Sequence, residues 1–383
     1  MKFFTTFLLA FIAINLSIAQ SVEDYIARVC IDSLVKTVRV LSGEDYVLFN
    51  SNYVLLTNRE YDYNDDAAEY IIHRLEKYGL TVTDQYYSND GRNIIATQIG
   101  STYPDSIYIV CAHYDAVTDY AADDNASGTA AVIEIARILS SQTLDYTLIY
   151  ALFDEEEIGL YGSTHYAEQA KLNNLHIVGV INLEMFGYDS NDDRLLDIHS
   201  NTYSSSQRLA NSTMSLIDDY DINLSPVVYS PGTSASDHFP FWNEGYGAIM
   251  IIQAYYGGDF TPAYHTINDR IDLFNIEYFE ELSKLSVGIT AKCVVPSQGN
   301  SVNSENLLTQ NVIQVYPNPT SGILNIKCSV NTKAEIINQL GMVINQFTVM
   351  NQTHQIDLSG YPDGIYYIKI YDKMPTISKI IKQ

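Results

Sequence analysis

Residues 106–139 read S-I-Y-I-V-C-A-H-Y-D-A-V-T-D-Y-A-A-D-D-N-A-S-G-T-A-A-V-I-E-I-A-R-I-L. Ser106 to Ala112 is a short apolar run of the kind found in strands buried on both faces. Ser127 to Leu139 has the length and pattern of a helix, with Ser127 placed to cap it. Between them stand His113, Asp115 and Asp124, all metal-ligand residue types. A buried strand, a chemically loaded loop and a helix make one unit of an α/β fold.

The same unit repeats outward. Thr147 to Phe153 predicts a strand that runs into Asp154-Glu-Glu-Glu157. Gly162 to Lys171 predicts a helix. His176 to Leu183 predicts a strand that runs into Glu184, and Ala248 to Gln253 a further strand. Upstream, Asp65 to Tyr78 has helical spacing and Gly79 supplies a stop. Strands alternating with helices indicate an α/β fold, with a mixed, mainly parallel sheet flanked by helices. No solenoid-type repeat is present.

The chain has 383 residues and a formal charge of −25. That charge argues against nucleic acid as a partner, because phosphate binding needs a basic face. Lys2, the apolar run Phe3 to Leu16 and the small residue Ala19 read as a signal peptide over residues 1–19; the run is too short for a membrane anchor. Export permits disulfides, and of the four cysteines Cys30 and Cys293 are the expected pair. Cys111 reads as core, and no C-x-x-C pair offers a thiolate zinc site.

Residues 311–383 carry a net +2 and the first nineteen residues +1, so the stretch 20–310 carries −28. The shift falls at the polar stretch Pro296 to Glu305, which has a linker's composition. The main domain is therefore placed at 20–296, a linker at 297–310 and a second domain at 311–383. The tail shows short Ile/Val/Tyr-rich runs between the turn signals Pro317-Asn-Pro-Thr-Ser-Gly322, Leu340-Gly341, Ser359-Gly360 and Pro362-Asp-Gly364. It predicts a small C-terminal β-sandwich.

In open α/β sheets ligands gather beyond the carboxyl ends of the strands. His113, Asp124, Glu157 and Glu184 all follow predicted strands, and His265 lies in Y-H-T-I-N-D. Zinc takes His nitrogen and carboxylate oxygen, and two ions a few ångströms apart need a bridging carboxylate. Asp124 suits the bridge, because Ala126, Ser127 and Gly128 let the backbone pack tightly there. Asp115 is placed to hold the second ring nitrogen of His113. Four adjacent carboxylates at 154–157 repel one another unless cations neutralise them. Glu157 can ligate while Glu156 acts as general base on a zinc-acidified water. Each fragment alone has an ordinary explanation: a solvated acidic loop, an Asp-Asn turn, a structural H-x-D. All five together, in order, point to a metal site.

These motifs resemble those of the zinc-dependent aminopeptidases of the bacterial leucyl aminopeptidase and glutamate carboxypeptidase type, with glutaminyl cyclase relatives, over roughly residues 60–290. The resemblance implies an eight-stranded mixed sheet and two zinc ions per chain. His113 and Glu184 would hold one ion, Glu157 and His265 the other, and Asp124 would bridge them. It also implies Glu156 as general base, Asp115 as its catalytic companion behind His113, and a cis peptide between Asp124 and Asn125. Glu184 departs from the pattern, since many relatives have Asp there. Ser236-Asp237-His238 resembles a motif near the substrate, so Asp237 and His238 are structural or substrate-facing. Met185, Phe186 and Tyr255 are candidates for an apolar pocket, with core packing as the alternative.

The tail resembles the C-terminal sorting domain of type IX-secreted proteins, through V-Y-P-N-P-T-S-G at 315–322, Leu340-Gly341 and P-D-G-I-Y-Y-I-K. By resemblance it engages that secretion machinery, and the protein is secreted or at the cell surface, with no transmembrane segment in the mature chain. The leading reading is an exported two-zinc aminopeptidase acting on peptides. Alternatives are a single-zinc glutaminyl cyclase-like acyltransferase, a carboxypeptidase anchoring its substrate through Arg194, Arg208 or Arg270, and an inactive surface adhesin.

Overall fold

The computed structural model describes residues 20–49, 52–296, 314–316, 320–327, 332–338, 342–350, 353–371 and 375–383. The chain divides into two compact units, Met1–Gln298 and Gly299–Gln383. The expected signal segment 1–19, the expected linker 297–310, Cys328 and the expected Leu340-Gly341 turn lie outside the described residues.

The first unit opens with helices α1 (Val22–Ile26) and α2 (Ile31–Leu41), a hairpin of β1 (Val47–Phe49) and β2 (Asn52–Val54), and helix α3 (Asn64–Lys77). Strands β3 (Thr81–Tyr86), β4 (Arg92–Gln98) and β5 (Tyr103–His113) follow, then α4 (Gly128–Leu139), β6 (Tyr146–Phe153), α5 (Tyr161–Leu172) and β7 (His176–Glu184). The unit closes with β8 (Leu195–His199), α6 (Ser204–Asp219), β9 (Ser225–Tyr229), α7 (His238–Asn243), β10 (Ala248–Gln253) and α8 (Ile276–Val294). Gly79, at φ +80°, takes the left-handed position that ends α3, and its N–H bonds the carbonyl of Glu76.

Eight strands form one mixed sheet in the order β3-β4-β6-β5-β7-β10-β8-β9. The central run β6-β5-β7-β10 is parallel, while β3, β4 and the β10–β8 pair introduce antiparallel edges. Burial on both faces explains why the central strands read as continuous apolar runs. In β5, Tyr108, Val110 and Ala112 enter one core, and Ile107, Ile109 and Cys111 the other. In β6, Leu148, Tyr150 and Leu152 take the first side, and Ile149, Ala151 and Phe153 the second.

The chain passes from β5 to β6 on one flank, then crosses to β7 on the other. A crevice opens at such a switch point beyond the carboxyl ends of the strands. Register brings the loaded ends level. His113 pairs with Phe153, so Asp154 to Glu157 emerge beside it. Cys111 pairs with Asn182, so two residues further on His113 and Glu184 come abreast.

The predicted Ser127 cap is not formed. Ser127 is itself helical, and its hydroxyl donates to the Asp123 carbonyl while accepting the Phe186 N–H. The amide oxygen of Asn125 caps instead, accepting N–H groups from Gly128 and Met185. Gly128 is required by close approach: a Cβ there would stand 2.4 Å from the Leu183 carbonyl oxygen.

The Cys30–Cys293 disulfide is also corrected, because both thiols are free. The Cys30 N–H is tied to Glu134 on α4, whereas Cys293 sits on α8 near Tyr108 and Tyr146. Burial pushes the Cys293 thiol up to about 12.

The described residues of the second unit that lie in regular elements are all in β-strands. One sheet pairs β11 (Gln314–Tyr316), β12 (Ile323–Lys327) and β15 (Thr353–Asp357). The other orders β14 (Val343–Val349), β13 (Thr332–Asn338), β16 (Gly364–Tyr371) and β17 (Pro375–Lys382). Leu324, Ile326 and Ile356 from the first meet Ala334, Ile336 and Ile368 from the second in one core, as a sandwich requires. Among the described residues no helix is long and apolar enough to cross a membrane.

The free thiols give a direct test. Alkylation of the native protein should label exposed Cys30 and leave Cys111 unlabelled until denaturant is added, as read by peptide mass spectrometry. A Cys30–Cys293 cross-linked peptide under oxidising conditions would contradict the structure.

Candidate metal centre

The five ligand-type residues converge at the switch point. His113 ends β5, Glu184 ends β7, and Glu157 lies four residues beyond β6. Asp124 sits in the wide turn Ala122–Ser127 that leads into α4, and its peptide bond to Asn125 is cis. His265 comes from the loop after β10, in a left-handed conformation at φ +57°.

The five form two groups of three that share Asp124. His113 Nε2 lies 3.3 Å from Asp124 Oδ1 and 3.3 Å from Glu184 Oε1. His265 Nε2 lies 3.3 Å from Asp124 Oδ2 and 3.1 Å from Glu157 Oε2. Asp124 thus turns one oxygen toward each group. Two donor atoms bound to one tetrahedral zinc stand roughly 3.4 Å apart, so these separations suit a shared ion better than a short direct hydrogen bond. Asp124 Oδ2 and Glu157 Oε1 are buried without hydrogen-bond partners, although Asp124 Oδ2 is within ion-pair reach of His265. Orphaned buried oxygens beside imidazoles fit a pair of divalent cations.

Electrostatics agree. Burial alone would lower His113, but the charges of Glu184 and Glu156 hold its pKa well above the ordinary value. The Asp124 and Glu157 carboxylates close to its Nε2 raise His265 to about 10. Burial raises Glu157 to about 7 and also raises Glu184. Burial would raise Asp124 too, but the nearby imidazoles of His113 and His265 bring it below the usual range. The carboxylates are balanced here by imidazole protons, which a bound metal would displace.

Supporting residues fix the ligands. Asp115, 4% exposed, holds His113 Nδ1 at 3.2 Å through one oxygen and takes the Glu157 N–H with the other. Ser236 Oγ donates to Glu184 Oε2 at 2.7 Å, and Asn182 Nδ2 donates to Ser236 at 2.8 Å. Asp269 accepts the N–H groups of Asp123 and Asp124. Arg59 sends four bonds to backbone carbonyls: Leu41, Tyr114, Tyr120 and Ala121. Tyr120 and Ala121 are left-handed at φ +72° and +43°. That conformation costs about 1–2 kcal/mol per non-glycine residue, and the charged bonds from Arg59 offset it. Ser236, Asn182, Asp269 and Arg59 were not singled out in the sequence. Ser236 and Asp269 are members of the quoted motifs S-D-H and Y-H-T-I-N-D, and Asn182 is a polar interruption in a buried strand. Arg59 leaves no comparable signal.

Glu156 is half-buried, and burial raises its carboxyl well above the ordinary range. His113 pulls the other way, and Asp237, Glu184 and Asp115 push further up. Asp237 and His238 are both wholly buried. Burial raises Asp237 to about 7, against the pull of His113. Burial lowers His238 to about 3, and its neutral ring donates from Nε2 to the Thr233 carbonyl. Phe186 is fully buried in the main cluster, which is the core-packing alternative given for it. Met185 instead joins Met250, Ile252, Tyr255 and Phe260 in a small separate cluster next to Glu184. A cavity of about 430 Å³ borders Asp115, walled also by Glu60, Asp65, Asp154 and Glu155.

Residues 93–289 match the model of peptidase family M28, and residues 314–383 that of the secretion system C-terminal sorting domain. The chain is 31% identical over 190 residues to aminopeptidase YwaD of Bacillus subtilis, covering 48% of this chain and 40% of that one. Among solved structures it resembles the LapA aminopeptidase of Legionella pneumophila, with TM-score 0.59 and 21% identity over 70% of this chain and 73% of that one. It likewise resembles the glutaminyl cyclase of Porphyromonas gingivalis, with TM-score 0.54 and 18% identity over 70% and 99%. These two likenesses are of fold. Matches to the curated zinc metalloprotease relatives span from 23% to 53% of their length.

The raised pKa of His265 predicts a pH signature in metal-free protein. Its stabilisation is fully present below about 6.5 and is lost as pH rises through about 10. Under chelator, His265→Gln should lower the urea midpoint near pH 6 and lose most of that effect above about pH 10. Equal effects at both pH values would contradict the ion-pair arrangement.

Proposed function

We propose that this chain, which belongs to peptidase family M28, is an exported aminopeptidase that uses two zinc ions. One observation carries the reading: two three-residue ligand groups share Asp124, with Glu156 beside them. The residues fit zinc by donor type, spacing and orphaned oxygens. His113, Glu184 and one oxygen of Asp124 would hold one ion; His265, Glu157 and the other oxygen would hold the second.

When bound, zinc supplies Lewis acidity for a carbonyl and lowers the pKa of water. The chain's own residues do the rest. Glu156 accepts the proton of the attacking water on its carboxylate and returns it to the leaving amine. A raised affinity for protons suits that exchange, because the same carboxyl serves as base and then as acid. Asp115 fixes the imidazole of His113, and Ser236 fixes the arm of Glu184.

Substrate polarity follows from charge. The centre and its neighbouring cavity are lined by carboxylates, which favour a protonated amino group. A carboxypeptidase would need a free cation for the substrate's carboxylate. Of the three candidate arginines, Arg194 is engaged by Asp192 and Glu277 and Arg270 by Glu44, while Arg208 lies on α6 near Tyr108. Tyr255, partly buried, is the residue proposed to meet an apolar first side chain, with the buried Met185 packed behind it. Residues 311–383 would route the protein through the type IX machinery to the cell exterior.

Metal analysis of the full chain should give two zinc ions, with hydrolysis of a leucine anilide. Glu156→Gln should keep the zinc and lose about 10²–10⁴-fold in kcat. Full activity in that variant would sink the mechanism. A single zinc with glutaminyl cyclisation and no hydrolysis would replace the aminopeptidase with the acyltransferase.

A further inference from the structure

Arg59 is 1% exposed and lies outside the segment matched by the peptidase model. A guanidinium buried this deeply usually meets a carboxylate. Arg59 instead directs four N–H bonds at carbonyl oxygens: Nε to Tyr114 and Nη1 to Tyr120, both at 2.8 Å, Nη2 to Ala121 at 2.8 Å, and Nη1 to Leu41 at 2.5 Å. Three of these carbonyls belong to the segment joining His113 to Asp124. The charge is balanced from a distance by Asp269, Asp115, Asp124 and Glu157.

The segment held by Arg59 is short and unusual. It leaves β5 directly after His113 and returns two residues before Asp123. Its last two residues before the wide turn, Tyr120 and Ala121, are left-handed without being glycine. Both of their carbonyls are Arg59 acceptors. The neighbours of Arg59 reinforce the grip: the Thr57 carbonyl accepts the Tyr120 N–H at 2.7 Å, and Asn58 Nδ2 donates to Asp119 at 2.9 Å. A planar fork with several fixed donors can hold divergent carbonyls in one arrangement, which a lysine cannot reproduce.

We propose that Arg59 is a positioning residue for the metal centre: by clasping the backbone of 114–121 it sets the separation of His113 from the bridging Asp124, and so tunes metal affinity. The proposal rests on the two-zinc reading above. It assigns a role in the centre to a side chain that touches none of the five ligands.

The test uses the full chain with Arg59→Met and Arg59→Lys. Zinc affinity is read by competition with a chromogenic chelator, ligand geometry by visible absorption of the cobalt(II) form, and Tm with and without zinc. Both variants should bind zinc roughly 10–100-fold more weakly, the range found when a residue that orients a ligand is lost. Their cobalt spectra should change and the gain in Tm on adding zinc should shrink. Arg59→Lys should fall between wild type and Arg59→Met, because it keeps the charge but not the fork.

Variants that fold with wild-type affinity, spectrum and zinc-dependent Tm gain would overturn the proposal. So would variants that lose the same Tm with and without zinc, or that do not fold even in saturating zinc, since Arg59 would then serve folding alone. Wild-type protein that binds no zinc would instead defeat the metal reading on which the proposal stands.

Discussion

Buried negative charge is the constraint on which this structure depends. Asp115, Asp124 and Glu184 are each at most 5% exposed, and Glu157 and Glu156 stand among them. Placing such groups together in a low dielectric costs several kcal/mol per ion, and mutual repulsion adds to it. A protein cannot maintain that cost without compensation. Two imidazoles, with protons or metal ions in reach of both, are what the geometry offers. The remote charge of Arg59 and the backbone amides accepted by Asp269 and Asp115 complete the set.

The sheet makes that concentration of charge possible. Parallel neighbours end at the same level, so carboxylates from β6 and β7 and a histidine from β5 arrive together without long loops. Asp124 and Glu184 then rest on backbone that is itself fixed. Gly128 lets α4 approach the end of β7, and Asn125 bonds both the start of α4 and the residue after Glu184. That half of the site is tied to the core, a form of preorganisation.

The central strands and helices were legible in the sequence because burial on both faces writes continuous apolar runs. The edges were not. β3 exposes Thr81, Thr83, Asp84 and Tyr86, and its polar letters read as loop. β8 and β9 are five residues each, and Pro226 obscures the second. The five ligand-type residues were legible through their motifs, yet the side chains that orient them were only partly so. Ser236 and Asp269 hide inside quoted motifs, and Arg59 is one arginine in a polar loop. Local reading also misplaced two neighbours. Ser127 is a good cap by residue type, but Asn125 won the position because its amide can bond two N–H groups at once. Phe186 follows Met185 in sequence, but the left-handed turn at Met185 (φ +43°) sends the two side chains to different clusters. The expected disulfide failed for a similar reason: Cys30 stands just ahead of α2 with its N–H on Glu134, Cys293 sits in α8, and the sequence does not say that the two meet different partners.

Glu184 is the ligand-type residue at which the resemblance leads one to expect aspartate, and the structure shows what holds its longer arm. An extra methylene adds reach and also a rotatable bond, so an unrestrained glutamate would bind metal less sharply. Here Oε2 is held at 2.7 Å by Ser236, itself held by Asn182 two residues back on the same strand. The Cys111 thiol on β5 lies 3.5 Å from the other end of Asn182. That chain of buried contacts removes the freedom the methylene introduced and leaves Oε1 directed at His113. The Glu184 carboxylate is therefore aimed by a relay of neighbouring polar groups, and Ser236 is the member of that relay that touches it.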